Sequence, residues 1–281
     1  GTTPKEPAHY PEAVADCAGI PNAVGASVLV APFNDVDQSV QLIDTHADSL
    51  AAVIVEPLQR TTCPQPGFLE ALREATSSHG VALIFDEIVT GFRLAWGGAQ
   101  ERYGVTPDVA TYGKTISGGH PIAAVCGRAH ILDCGDPRRK AQGQEYAFVS
   151  GTVNGNPIGA AAGLACLDEL AKDGVYPRLY EVSERLRQGL EAIGKTRGVP
   201  LQVLGDGPVL QPFFTETAIL NHIDSLQADA AMAQLWGVEM LKRGILCSPG
   251  GKLYLSLAHA DEDIDRTLAV AQESLEAVLS Q

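Results

Sequence analysis

The sequence predicts an α/β protein: a large domain on a mixed, mostly parallel sheet, followed by a smaller C-terminal α+β domain. Three observations predict it. Ala51-Ala-Val-Ile-Val55 and Val81-Ala-Leu-Ile-Phe85 are unbroken apolar runs of strand length, the pattern of strands buried on both faces. Between them, Phe68, Leu69, Leu72, Ala75 and Thr76 recur on one helical face. Strand, helix and strand in that order specify a parallel pair joined by a crossover helix.

The elements follow in order. Residues 1–27 carry prolines at 4, 7, 11 and 21 and no periodicity, so they are expected to be irregular. The first strand ends at Glu56-Pro57, and Gly80 is placed to terminate the crossover helix at its C′ position. The second strand ends in Asp86-Glu87. Pro121–Cys126 reads as a further strand. Asn156-Pro157 opens an alanine-rich helix running to about Leu170, with proline where the first turn tolerates it. Beyond residue 170 the pattern changes, dividing the chain into 1–170 and 171–281. An amphipathic helix is expected over Tyr176–Ile193, then strands at Leu201–Leu204 and Val209–Phe214 and a helix over 228–243. A strand pair (Ile245–Cys247, Lys252–Leu257) and a helix over 261–278 close the chain. Asp261-Glu-Asp263 complements the dipole of that last helix.

Composition narrows the function. The chain has 281 residues, enough for one large or two moderate domains. With 34 acidic and 20 basic residues and a net charge of −14, it is no candidate for a nucleic-acid or anionic-membrane surface. No apolar run approaches the roughly 20 residues of a membrane span. The opening Gly-Thr-Thr-Pro-Lys-Glu-Pro lacks the charged and apolar regions of a signal peptide, and a glycine in place of methionine marks a processed, tagged or truncated start. Six cysteines, at 17, 63, 126, 134, 166 and 247, form no Cys-x-x-Cys and no metal spacing. They are expected to be plain thiols in a reducing cytoplasm, and no metal site is expected.

The chemistry centres on Lys114, within Ala110-Thr-Tyr-Gly-Lys-Thr-Ile-Ser-Gly-Gly-His120-Pro121. Gly113-Lys114-Thr115 is not a P-loop, because Asp108 stands where that motif needs its first glycine. Gly205-Asp-Gly207 fails as a dinucleotide fingerprint, since Pro208 interrupts it and Leu210 ends it. Lys114 follows Asp86 by 28 positions. A strand-end carboxylate and a lysine among glycines suit pyridoxal phosphate (PLP): the amine forms a Schiff base, and the carboxylate keeps the pyridine nitrogen protonated. Taken alone, Asp86-Glu87 could equally cap the next element, and Lys114 could be a solvated surface residue.

The wider motifs weigh against those plainer readings. Phe85-Asp-Glu-Ile-Val-Thr-Gly-Phe-Arg93, Gly97-Gly-Ala-Gln-Glu-Arg-Tyr-Gly104, Pro107-Asp108 and Tyr112-Gly-Lys114 resemble class III PLP-dependent aminotransferases. Ser150-Gly-Thr-Val-Asn-Gly-Asn-Pro157 and Ser256–Asp265 resemble the glutamate-1-semialdehyde 2,1-aminomutase branch. The resemblance runs from about Ala31 to the C-terminus. It implies the PLP-dependent transferase fold type I, with Lys114 as the Schiff-base lysine and proton shuttle, and Asp86 on the pyridine nitrogen. It further implies Ile88 against the ring, and Gly151 and Thr152 on the cofactor phosphate across a homodimer interface. Glu56 and Gln59 resemble site-wall positions facing substrate.

The family pattern also includes a longer N-terminal stretch, with a phosphate-binding Ser-Gly-Thr-type loop and an aromatic residue stacked on the ring. Residues 1–27 carry neither. The missing stretch is expected on a separate chain or as a disordered or cleaved segment of the same protein. Gly250-Gly-Lys-Leu-Tyr-Leu-Ser256 lacks the arginine that many α-amino-acid transaminases keep for the substrate carboxylate. That absence matches the aminomutase-like branch, and the resemblance as a whole implies amino-group transfer between an amino compound and a keto or aldehyde acceptor. The alternatives are an intramolecular aminomutase and a non-catalytic fragment.

Overall fold

A computed structural model describes residues 9–15 and 17–280. Pro4, Pro7 and the rest of the first eight residues lie outside the described part. In chain order the N-terminal half forms α1 (Asn22–Gly25), α2 (Val36–His46), β1 (Ala52–Val55), α3 (Phe68–His79), β2 (Ala82–Glu87), α4 (Gly98–Tyr103), β3 (Val109–Tyr112) and β4 (Ala124–Gly127). Short helices α5 (Ala129–Leu132) and α6 (Pro137–Ala141) lead to α7 (Pro157–Leu170) and α8 (Val175–Arg197). The rest comprises β5 (Leu201–Asp206), β6 (Val209–Phe214), α9 (His222–Ser225), α10 (Ala230–Lys242), β7 (Leu253–Tyr254) and α11 (Asp261–Leu279).

These elements divide into two compact units, one of Ile43–Pro57 and Leu69–Asp173, the other of the remainder. One division between the units falls between Asp173 and Gly174. The residues up to Leu42 and Leu58–Phe68, however, group with the C-terminal part. Asn34 supplies a reason: its Nδ2 donates to the Cys63 and Leu220 carbonyls at 3.0 and 2.7 Å, and its Oδ1 accepts from the Gln65 amide at 2.8 Å.

The first unit holds a four-stranded sheet in the order β1-β2-β3-β4. β1, β2 and β3 run parallel and β4 antiparallel, so the sheet is mixed and mostly parallel as expected. α3 is the crossover between β1 and β2, and Gly80 ends it in the left-handed conformation, with φ +67°. Burial is one-sided rather than two-sided. Along β2, Leu83, Phe85 and Glu87 are buried and the alternate residues are half-buried, while Ile54 of β1 and Val125 of β4 remain exposed. The continuous apolar runs gave no sign of that asymmetry.

Asp108 fastens the sheet where β3 begins. Its Oδ2 accepts from the Leu83 amide of β2 and from Arg73 Nη1 of α3, both at 2.8 Å. Its Oδ1 meets Arg128 Nε, just beyond β4, at 2.7 Å. Its own backbone bonds Leu83 O and Arg128 N. One buried carboxylate thus ties β2, β3, β4 and α3 together.

The second unit packs α8 and α10 against an antiparallel sheet in the order β5-β6-β7, and α11 against those two helices. Leu190, Leu210, Met240 and Leu275 are fully buried in its core. Trp236 packs edge-on to Phe214 at 5.7 Å and donates its indole N–H to Ala271 O at 2.9 Å. The expected strand pair shrinks to β7 alone. Ile245–Cys247 is coil, following Gly244 (φ +86°) and preceding the Pro249-Gly-Gly251 turn, and Leu246 points into solvent.

Burial opposes ionisation of Asp108, but the Leu83 amide and the Arg73 and Arg128 charges outweigh it and hold its carboxyl below the ordinary range. A lowered folded value contributes stability above the unfolded carboxylate pKa and loses it as the pH falls through the folded value. Asp108→Asn is therefore expected to cost about 2 kcal/mol at neutral pH. The deficit should shrink towards about pH 3, as read from urea unfolding at the two pH values.

Candidate functional site

Three parallel strands deliver candidate residues to one end of the sheet. β1 ends at Val55, directly before Glu56, β2 carries Asp86 at its end, and β3 ends two residues before Lys114. Carboxyl ends of parallel strands are where open α/β sheets bind ligands. Asp86 pairs in register with Thr111 across β2 and β3. Its Oδ1 accepts from Thr111 Oγ1 at 3.3 Å and from the Ile88 amide at 3.1 Å. Both bonds fall on one oxygen, so they orient the carboxylate and leave Oδ2 without a hydrogen bond among the described residues.

Ile88 lies in the turn just past β2 rather than on the strand. Its Cδ1 stands 3.1 Å from where a Cβ on Gly113 would sit. The residue before Lys114 therefore lies flush against Ile88, and any side chain there would need space that Ile88 occupies.

Lys114 begins a 3-10 turn, Lys114–Ser117, and is exposed, with φ +45°. That left-handed backbone is uncommon for a residue with a side chain, and the surroundings hold it. Ser117 Oγ donates to Lys114 O at 2.6 Å, and Cys166 Sγ of α7 donates to Thr115 O at 3.3 Å. A Cβ on Gly118 would meet Ala162 O of α7 at 2.9 Å, so the turn rests directly on that helix.

Glu87 faces the opposite way from Asp86 and is fully buried. Its Oε2 accepts from Thr90 Oγ1 at 3.0 Å and the Ala99 amide at 2.6 Å. Its Oε1 accepts from Gln100 Nε2 at 2.8 Å and the Gln100 amide at 3.4 Å. It thereby caps the start of α4, one of the two roles open to the Asp86-Glu87 pair. Gln100 Nε2 also donates to Tyr112 Oη at 2.7 Å. Burial first, then the Glu87 charge, pushes the Tyr112 phenol up.

The remaining candidates stand elsewhere. Gly151 and Thr152 occupy an exposed turn ahead of α7, with no hydrogen bond to Asp86, Ile88 or Lys114 among the described residues. Asn156 caps α7 through Oδ1, which accepts from the Ile158 amide at 2.9 Å. Gln59 belongs to the other unit, where its backbone pairs with Thr62. Thr111, Gln100 and Tyr112 were not singled out in the sequence as partners. Their roles depend on strand register, which no local pattern reveals.

The parallel strands of this α/β unit thus present an amine and an oriented carboxylate at adjacent ends. The chain belongs to the aminotransferase class-III family, whose profile matches residues 18–273. Glutamate-1-semialdehyde 2,1-aminomutase 2 of Brevibacillus brevis is 40% identical over 265 residues, covering 92% of this chain and 60% of that protein. An omega-transaminase structure from Sphaerobacter thermophilus superposes with a TM-score of 0.88 at 33% identity, covering 96% of this chain and 62% of that one. A transaminase with PLP bound gives 0.85 at 27% identity, covering 96% of this chain and 62% of its own. The chain thus spans about 60% of the length of the relatives it matches.

Gly98 shows how closely this end of the sheet is built. Its φ is +67°, and a Cβ there would fall 2.2 Å from Glu87 Oε2. Gly98→Ala is expected to cost about 3 kcal/mol from backbone strain and overpacking together, measured by urea denaturation against the unsubstituted chain.

Proposed function

We propose that this chain carries the lysine-bearing part of a PLP-dependent aminotransferase site. The observation that carries the reading is the placement of Lys114 and Asp86 at the ends of adjacent parallel strands. The donor set fits the cofactor. Lys114 offers an exposed primary amine, Asp86 an oriented carboxylate with one oxygen to spare, and Ile88 an apolar surface beside them.

PLP, when bound, supplies an aldehyde for condensation with amines and a ring that absorbs carbanion charge. The Lys114 amine would hold it through that aldehyde and, when free, would take up and return the proton at the reacting carbon. Asp86 Oδ2 holds the proton at the pyridine nitrogen. Ile88 keeps water from one side of the ring. The amide and hydroxyl of Gly151 and Thr152 bind phosphate in a homodimer with shared sites. Support for that assembly comes from their exposure beside Phe148 and Val149, which are 78% and 70% exposed. Glu56, beside the end of β1, is the substrate contact this unit offers. The six free thiols fit a cytoplasmic setting, and no described helix is long and apolar enough to cross a membrane.

The 40% identity to an aminomutase favours a second reading, in which nitrogen returns to the same substrate. The residues above serve both reactions, which differ in whether the keto intermediate leaves. Incubation with an amino donor and a separate carbonyl acceptor distinguishes them. A released keto product supports transfer, and an isomerised substrate without release supports the mutase. In either case Lys114→Ala is expected to abolish the Schiff-base absorbance and lower turnover at least about a thousandfold. Turnover that survives the substitution would remove Lys114 from the mechanism.

A further inference from the structure

Glu87 is fully buried beside Asp86 and touches no reacting group. Its two oxygens receive four donors: Thr90 Oγ1, the Ala99 and Gln100 amides, and Gln100 Nε2. A carboxylate, with acceptor positions only, matches that set. The Gln100 side-chain amide has two hydrogens, and the structure uses both, one on Glu87 Oε1 and one on Tyr112 Oη. Glu87 thereby fixes the rotamer of Gln100, and Gln100 fixes the phenol.

Tyr112 is held along its ring as well. A Cβ on Gly91 would lie 2.5 Å from Tyr112 Cδ1, and the Phe92 ring stands 5.6 Å away. Glu87 and Tyr112 also pair in register across β2 and β3. Two residues beyond Tyr112 comes Lys114, whose φ of +45° needs support from its surroundings. The 3-10 turn and α7 supply that support on the far side, through Ser117 and Cys166. On the near side the anchored residue is Tyr112.

We propose that the Glu87–Gln100–Tyr112 network positions Lys114, with Glu87 as the positioning residue that fixes the strand end from which the lysine turn departs. The inference rests on the PLP-lysine reading of the same site and adds to it the device that holds the lysine in place. Asp86 and Glu87 then have separate tasks: one faces the cofactor, and the other faces inward and sets where the amine stands.

Two variants test it, Tyr112→Phe, which removes a single oxygen, and Glu87→Gln, which sets an amide against the donors. In the unliganded chain, amide exchange over residues 113–118 is expected to quicken about tenfold in both. Exchange over 186–190, in the other unit, is expected to stay unchanged. With PLP added, affinity is expected to fall about tenfold, and the absorption band of the bound cofactor to shift at equal occupancy. Unchanged exchange over 113–118 in Tyr112→Phe would overturn the proposal. So would exchange that rises equally over 186–190, since the network would then be a general stabiliser. If Glu87→Gln does not fold, Tyr112→Phe decides alone. If the unsubstituted chain takes up no PLP, the functional reading fails, while exchange in the unliganded chain still decides the positioning role.

Discussion

The parallel pairing of β2 with β3 is the constraint on which the site depends. Asp86 and Lys114 are 28 positions apart in sequence, and nothing local brings them together. The register that sets Asp86 against Thr111 and Glu87 against Tyr112 does so. A slip of one residue would reverse the face of every side chain on one strand. It would turn Glu87 towards the ligand side and bury Asp86. The chemistry is therefore only as reliable as the register, and the fold fixes that register at both ends of the strand pair.

Two buried carboxylates do this by different physical means. Asp108, where β3 begins, binds the Leu83 amide and two guanidinium groups, so its ionised form is balanced by full charges. Glu87, where β2 ends, has no cation among its bonding partners and is satisfied by dipoles alone, two backbone amides, a hydroxyl and a side-chain amide. Both arrangements meet the requirement that a buried charge find compensation. Their consequences differ. An ion cluster tolerates small shifts in distance, whereas hydrogen bonds weaken steeply with misalignment. The more exacting arrangement lies at the end that carries the lysine.

Much of this frame was legible in the sequence. The apolar runs gave β1 and β2, the 3.6-residue periodicity gave α3 and α8, and Asn156-Pro157 marked the start of α7. Asp86 and Lys114 stood out because each is an unusual residue for its setting. β3 was not read as a strand, because Val109-Ala-Thr-Tyr112 is only four residues long and mixed in character. Its neighbours in the sheet, not its composition, make it one. Ile245–Cys247 failed in the opposite direction: it is apolar enough for a strand, but glycines and proline around it deny it a partner. The grouping of Leu58–Phe68 with the C-terminal residues was invisible for a related reason. It is carried by tertiary hydrogen bonds: Asn34 reaches the Cys63, Gln65 and Leu220 backbones, and Cys63 Sγ reaches Gly205 O.

Of the two residues expected to face substrate, Glu56 belongs to the compact unit that carries Lys114 and Gln59 does not. Lys114, Asp86, Ile88, Thr111 and Glu87 all belong to one compact unit, while Gln59 belongs to the other. In the proposed reading, an amine, an acid and a bracing network would serve any amino compound that reaches them, because each acts on the cofactor or on the backbone behind it. Transfer and isomerisation therefore look alike from this side. They diverge at the walls that retain or release the keto intermediate, and retention requires enclosure. Exposed Ile54 and Val125 on the sheet and the exposed turn at Gly151 and Thr152 show that this unit alone does not provide it. In the proposed reading, the strand ends set the kind of reaction, and the walls around them set which carbonyl compound receives the nitrogen.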